Sequence, residues 1–181
     1  MARIETSKKP RTVFPLIRHL SARITPWLLK TPVSANQITF ISMNLGLLAS
    51  LLFAIGNFTT SLCASIVFFF TYLLDHCDGE VARAKHQTSR FGQMFDSFVD
   101  WIFHAAFFMG LSWGTYSTSD DLVWVWFGLA AALGATINYL LSIYIFIRKS
   151  QKNTSATEYG EDPEENYDQP GNWIEAVTFV F

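Results

Sequence analysis

Thr31 to Leu74 reads TPVSANQITFISMNLGLLASLLFAIGNFTTSLCASIVFFFTYLL, 44 consecutive residues without an Asp, Glu, Lys or Arg. A membrane-spanning helix needs about 20 apolar residues at a rise of ~1.5 Å each, so this run holds two spans. Gly56-Asn57-Phe58-Thr59-Thr60-Ser61 has the composition of a turn and divides them. Two more charge-free runs follow, 19 residues from Trp101 to Ser119 and 26 from Leu122 to Ile147. The expected fold is an all-α, polytopic transmembrane bundle with spans near Ile38–Ile55, Leu62–Leu74, Trp101–Trp113 and Leu122–Ile147. The second and third are apolar over only 13 residues each, so their flanks must enter the membrane to complete them.

The composition agrees. Half of the 181 residues are hydrophobic, 17 are Phe and only 15% are charged, against roughly 25% in a typical soluble domain. That excludes a disordered chain, and no nucleic-acid partner is expected. Of the 13 basic residues, seven precede the first span, three lie between the second and third, and three follow the fourth. The connections Gly56 to Ser61 and Gly114 to Asp121 have none, so the positive-inside rule places the N-terminus and the loop between spans two and three in the cytoplasm. No cleavable signal peptide is expected, because the first 30 residues lack a continuous apolar core followed by a small-residue cleavage site. Cys63 and Cys77 fall in or at the end of a span, so no disulfide is expected.

Four segments follow from this pattern. Residues 1–30 form a cytoplasmic tail and an amphipathic interfacial helix, whose apolar Val13, Phe14, Ile17, Leu20, Ile24, Trp27 and Leu28 recur at spacings of three and four. Packing of that helix on a soluble partner is the alternative. Pro26 and Pro32 are expected to break it before the first span. Residues 31–149 form the transmembrane core. Residues 150–172 read as an acidic, solvated loop, with six acids and one base from Ser150 to Gly171. Residues 173–181 read as the start of a further helix, because Asn172 precedes Trp173-Ile174-Glu175 and Ala176 to Phe181 is wholly apolar. Six such residues cannot span a bilayer, so the chain is expected to continue with two more spans, and its 181 residues alone to be poorly active.

The chemistry lies where the second span gives way to Asp75-His76-Cys77-Asp78-Gly79-Glu80-Val81-Ala82-Arg83. At 100° per residue, Asp75, Asp78, Gly79 and Ala82 share an arc of about 100° on one helix. Across a short loop, Gly92, Asp96 and Asp100 form an i, i+4, i+8 stripe on the next. Ionisable groups at the hydrocarbon boundary are costly unless paired. Four carboxylates together repel one another, and Arg83 alone cannot offset them. A divalent metal can, and an all-oxygen ligand set favours Mg²⁺ or Mn²⁺. Two such ions form a clamp for phosphoryl transfer. Taken singly, each acid could instead be a membrane-edge charge bridged to Arg83, Lys85 or Arg90.

Together, Asp75, Asp78, Gly79, Ala82, Arg83, Gly92, Asp96 and Asp100 fit D-x2-D-G-x2-A-R-x8-G-x3-D-x3-D without a gap. Eight positions at background frequencies near ~6% would agree by chance about once in 10¹⁰ starts. The sequence resembles the CDP-alcohol phosphatidyltransferases, membrane enzymes that join a CDP-linked alcohol, often CDP-diacylglycerol, to a second alcohol and release CMP. The resemblance implies that Asp75, Asp78, Asp96 and Asp100 hold two divalent ions, and that Asp100 is the catalytic base on the acceptor hydroxyl. It also implies that Arg83 offsets charge on the departing CMP, and that Gly79, Ala82 and Gly92 line the cytidine-diphosphate pocket. Asn36 and Thr39 look like the family's Asn-x-x-Thr at the start of the first span, which makes them candidate nucleotide contacts. Asn36 could equally cap that helix. The implied partners are a CDP-linked lipid, a small acceptor alcohol, membrane lipids and a second copy in a homodimer.

Family members of this kind have six spans, and four are visible here. Ser97 follows Asp96 and Trp101 follows Asp100, so the acceptor is open. Lys85 and Arg90 hint at an anionic acceptor, against a simpler role as positive-inside anchors. His104 reads as a hydrogen-bonded histidine in the bundle, His76 points away from its neighbours, and Glu80, about 140° from Asp75, reads as a loop-facing charge. Ala130, Gly134 and Asn138 are spaced for close helix packing. The rival functions are a metal-dependent membrane phosphodiesterase or pyrophosphatase acting on CDP-lipids, and a non-catalytic truncated membrane protein. A transporter would place its acids near the bilayer midplane rather than at one edge.

Overall fold

Residues 15–158 are described by a computed structural model and form five helices: α1 Pro15–Leu29, α2 Ala35–Ala54, α3 Phe58–Ala84, α4 Arg90–Ser119 and α5 Val123–Glu158. Helices α2 to α5 each contain a stretch long and apolar enough to cross a membrane. The short apolar runs at Leu62 and Trp101 are completed by their flanks, since α3 has 27 residues and α4 has 30. That corresponds to roughly 40 and 45 Å of helix, beyond a ~30 Å hydrocarbon core. The acidic loop beyond Glu158 and the helix start at Asn172 lie outside the described residues, as do Val13 and Phe14.

Helix α2 packs along both α3 and α4, while α5 packs on α4 and α1 on α3. The face of α2 that makes this possible is small: Ser42, Gly46, Ala49 and Ser50 are all buried. At Gly46 a β-carbon would stand 2.9 Å from Phe103 Cβ and 3.2 Å from Thr71 Cγ2, so three helices converge on that glycine. On α4, β-carbons at Gly110 and Gly114 would overlap the Ser50 and Phe53 carbonyl oxygens, a small-x3-small contact between backbones. Helices α3 and α4 meet through aromatic side chains, with Phe68 stacked on Phe107 at 4.5 Å and edge-on to Phe103 at 6.0 Å. Outward-facing Leu51, Phe58, Ile66, Trp126 and Ile137 are exposed, as expected of surfaces that face lipid.

Local signals fix the helix ends. Ser34 caps α2 in a capping box with Gln37, so Asn36 is not the cap. Helix α3 closes in a Schellman motif: His86 takes φ 54°, His86 N donates to Arg83 O, and Gln87 N donates to Ala82 O at 2.8 Å. Helix α1 continues through Pro26 to Leu29 rather than breaking there. Proline removes one backbone donor in the last turn, and the residues just before it are tied from outside. Ser21 Oγ donates to Glu80 Oε1 at 2.8 Å, and Thr25 Oγ1 donates to Glu80 Oε2. Glu80 therefore ties α1 to α3 and is not a loop-facing charge. Leu16 and Trp27, on the other side of α1, remain exposed. Helix α5 runs past Ser150 to Glu158, later than the expected loop boundary, because no Gly or Pro stands between Gly134 and Gly160 to stop it.

Candidate active site

The last turns of α3 and the first turns of α4 bring the four aspartates together. Single carboxylate oxygens of Asp75, Asp78 and Asp96 all lie within 4.8 Å of one another. The Asp100 carboxyl abuts that of Asp75. Asp78 is held by Thr39, whose Oγ1 stands 2.5 Å from Asp78 Oδ2 and 3.1 Å from Ala35 O in buried surroundings. Thr39 thus fixes a carboxylate rather than only presenting its hydroxyl to a nucleotide. Lys85 does not pair with the acids, because its Nζ donates to Thr31 O at 2.8 Å and Val33 O at 2.7 Å. It latches the α1–α2 linker onto the end of α3.

A divalent cation fits this arrangement on two observations. The ligand set is all carboxylate oxygen at short mutual distance, and Asp75 Oδ1 is buried without a hydrogen-bond partner. A buried charged oxygen left unpaired costs several kcal/mol, on the order of the penalty for an isolated buried ion. Asp75, Asp78 and Asp96 are the residues that could hold such an ion, with Asp100 beside them.

A cleft of about 180 Å³ opens next to Asp78 and Asp96. Every residue expected from the sequence to contact the CDP moiety lines it: Asn36 and Thr39 from α2, Gly79, Ala82 and Arg83 from α3, and Gly92 from α4. The glycines keep it open. A β-carbon at Gly79 would come no nearer than 3.5 Å to the Arg83 guanidinium, whereas one at Gly92 would stand 3.3 Å from Asn36 Oδ1. Gln87 also lines the cleft, its Oε1 accepting from Ala35 N at 3.0 Å, as does Ser89, the N-cap of α4. Neither was singled out by sequence, since both lie in the loop inside the motif's unspecified x8 stretch.

A second cavity of about 340 Å³ lies between α4 and α5, and Asp100 is the aspartate that lines it. It opens where α5 presents no side chain. At Gly128 a β-carbon would overlap Ser112 Oγ, but at Gly134 there is nothing within 4 Å. Gly134 and Asn138 therefore line a cavity instead of packing closely, contrary to the reading of their spacing. Trp101 closes one side, its Nε1 donating to Thr136 Oγ1 at 3.0 Å and its ring stacked on Tyr139 at 5.3 Å. His104 also lines this cavity, with Nδ1 2.7 Å from Asp100 O. A carbonyl only accepts, so Nδ1 carries the proton.

The sequence has known counterparts. Residues 32–178 match the protein-family model described as CDP-alcohol phosphatidyltransferase, and the chain belongs to that family. Over 123 residues it is 32% identical to the bifunctional IPC transferase and DIPP synthase of Thermococcus kodakarensis, covering 66% of this chain and 27% of that one. The protein of the same name from Aquifex aeolicus is 33% identical over 114 residues, 63% of this chain and 26% of its own. Archaetidylinositol phosphate synthase of Pyrococcus horikoshii is 32% identical over 100 residues, 55% of this chain and 52% of that protein. The matched region thus spans about a quarter of the first two relatives and about half of the third.

Proposed function

We propose that this protein transfers a substituted phosphate from a CDP-linked lipid, with CDP-diacylglycerol the expected donor, to the hydroxyl of an acceptor alcohol, and releases CMP. The observation that carries this reading is a partition. The expected CDP contacts share one cleft with Asp78 and Asp96, while Asp100 lines a separate cavity on the other side of the same carboxylate cluster.

In this reading the cleft takes the cytidine diphosphate, with room left by Gly79 and Gly92 and the Arg83 guanidinium offsetting diphosphate charge. The acceptor enters from the second cavity. Asp100 takes the proton from the acceptor hydroxyl, a bond forms between that oxygen and the lipid-bearing phosphorus, and the bond from that phosphorus to the CMP oxygen breaks. Thr39 holds Asp78 in place, and α2, which packs along both α3 and α4, ties the helices that carry the two aspartate pairs. A divalent ion such as Mg²⁺ or Mn²⁺, held by the aspartates, would neutralise charge on the diphosphate. The basic residues flanking this end of the bundle support a cytoplasmic orientation.

Hydrolysis of the same donor is the rival reaction, and a single assay separates the two. The full-length protein in detergent, given CDP-diacylglycerol, Mg²⁺ or Mn²⁺ and a panel of alcohols, should release CMP only when both the divalent ion and an alcohol are present. Undiminished CMP release in excess chelator would remove the metal from the reaction. Undiminished release without alcohol would make the protein a phosphodiesterase.

A further inference from the structure

We infer that Gln87, in the loop between α3 and α4, reads the nucleobase of the CDP-linked substrate and selects cytosine over uracil. This deepens the transfer reading proposed above and rests on it. Carboxamides of Asn36, Gln87 and Gln93 line the cleft beside Asp78 and Asp96. Among the described residues, of these three only the Gln87 amide has a hydrogen-bond partner that decides which of its ends is free. Its Oε1 accepts from Ala35 N at 3.0 Å, a first-turn N–H of α2 with no acceptor inside its own helix. An N–H cannot bond an NH2 group, so the amide cannot turn over, and Nε2 with its two hydrogens is the end left for a ligand. The backbone is held as well, since Gln87 N donates to Ala82 O at 2.8 Å, just past His86 with its φ of 54°.

Position along α2 decides which part of the nucleotide Gln87 meets. Thr39 bonds Asp78, one of the carboxylates assigned to the diphosphate end. Ala35, which bonds Gln87, lies four residues earlier on the same helix, about 6 Å back along its axis at ~1.5 Å per residue. With the diphosphate anchored at the carboxylates, the group one helical turn further along the cleft is the nucleoside. On its pairing edge cytosine presents N3 and O2, two adjacent acceptors, whereas uracil carries an N–H at the same N3 position. The two Nε2 hydrogens suit the cytosine pair and oppose the N–H of uracil. One hydrogen-bond donor facing another leaves both unpaired, and that penalty is the source of discrimination.

The test is titration calorimetry of CDP against UDP on the full-length protein in detergent with Mg²⁺. The wild type should bind CDP at least about tenfold more tightly, the effect of one polar group left unpaired by the wrong base. Gln87→Glu keeps an oxygen for Ala35 N, so its melting temperature should stay put, but it turns the free end from a hydrogen-bond donor into an acceptor. The added charge repels both diphosphates alike, so the affinity ratio is the readout, and it should move about tenfold or more toward UDP, whose N3–H the carboxylate accepts. Gln87→Met removes both ends of the amide: the two nucleotides should then bind nearly equally, and the melting temperature should fall because Ala35 N loses its acceptor. A wild type indifferent to the base, or an unaltered affinity ratio in Gln87→Glu, overturns the inference and leaves the transfer reaction standing. The expected ratios combined with CMP release from CDP-diacylglycerol that needs no alcohol overturn the transfer reaction and leave the base reading intact. Binding of neither nucleotide overturns both.

Discussion

On α4, Gly110 and Gly114 have no room for a β-carbon, because the α2 backbone occupies the space; on α5, Gly134 faces nothing within 4 Å. Both kinds of glycine sit on long transmembrane helices, and hydropathy does not separate them. The first lets two helices approach until backbone meets backbone, which sets the frame of α2, α3 and α4. The second leaves open the cavity that Asp100 lines. Absence of a side chain builds the scaffold at one end and leaves open volume at the other, so enlarging a residue should injure stability in the first region and, on the proposed function, ligand binding in the second.

The largest effect should come from the open end. Asp78→Asn keeps side-chain shape and removes a charge, and turnover should fall about a hundred- to a thousandfold, the range seen when an electrostatic contact at a transferring group is lost. Thermal unfolding in detergent should change little, since Thr39 can still bond the amide oxygen. A near-normal rate of CMP release would make the carboxylates structural and collapse the contrast between the ends.

A paired substitution sharpens it. Gly110→Val should lower stability by about 1–3 kcal/mol through overpacking against the Ser50 carbonyl, with CMP release per folded molecule preserved. Gly92→Ala should leave the melting temperature nearly unchanged and raise KM for the CDP-lipid about tenfold, because the new methyl crowds Asn36 at the cleft wall. Melting curves and donor KM measured on both proteins would show the two effects crossing over if the assignment of the ends is wrong.

The smallest effect is expected at the tie between α1 and α3. Glu80→Leu removes the acceptor of two hydroxyl hydrogen bonds, a loss of about 1–2 kcal/mol confined to α1. Tryptic cleavage at the exposed Arg18 and Arg23 should quicken severalfold while the unfolding of the remaining bundle stays put. Unchanged cleavage would mean that α1 is held by lipid contact rather than by Glu80.

Much of this architecture could be read before any coordinates. Charge-free runs give the four spans because a bilayer leaves few alternatives, and the motif gathers the four aspartates and most of the cleft wall because one face of each of two helices collects positions three and four apart. What escaped was the pairing between elements distant in sequence. Glu80 looked solvent-facing on its own helix, since nothing local announces that Ser21 and Thr25 lie opposite. Gly134 looked like a packing glycine because its spacing cannot reveal that it lines a cavity instead of meeting a neighbouring helix. Gln87 was hidden in a loop whose shape depends on His86 adopting a left-handed conformation, which few non-glycine residues take.

The Lys85 latch has a consequence for biogenesis. Its two partners, Thr31 O and Val33 O, precede it in the chain, as do the hydroxyls of Ser21 and Thr25 that bind Glu80 and the Thr39 hydroxyl that binds Asp78. Each of these polar contacts of the α3 end is therefore available once the ribosome has delivered residue 85, while Asp96 and Asp100 are still unmade. The nascent chain can enter the membrane with Asp78 already supplied with a donor. The second pair of aspartates then arrives on α4 against a preassembled surface, so the most strongly repelling charges are brought together last.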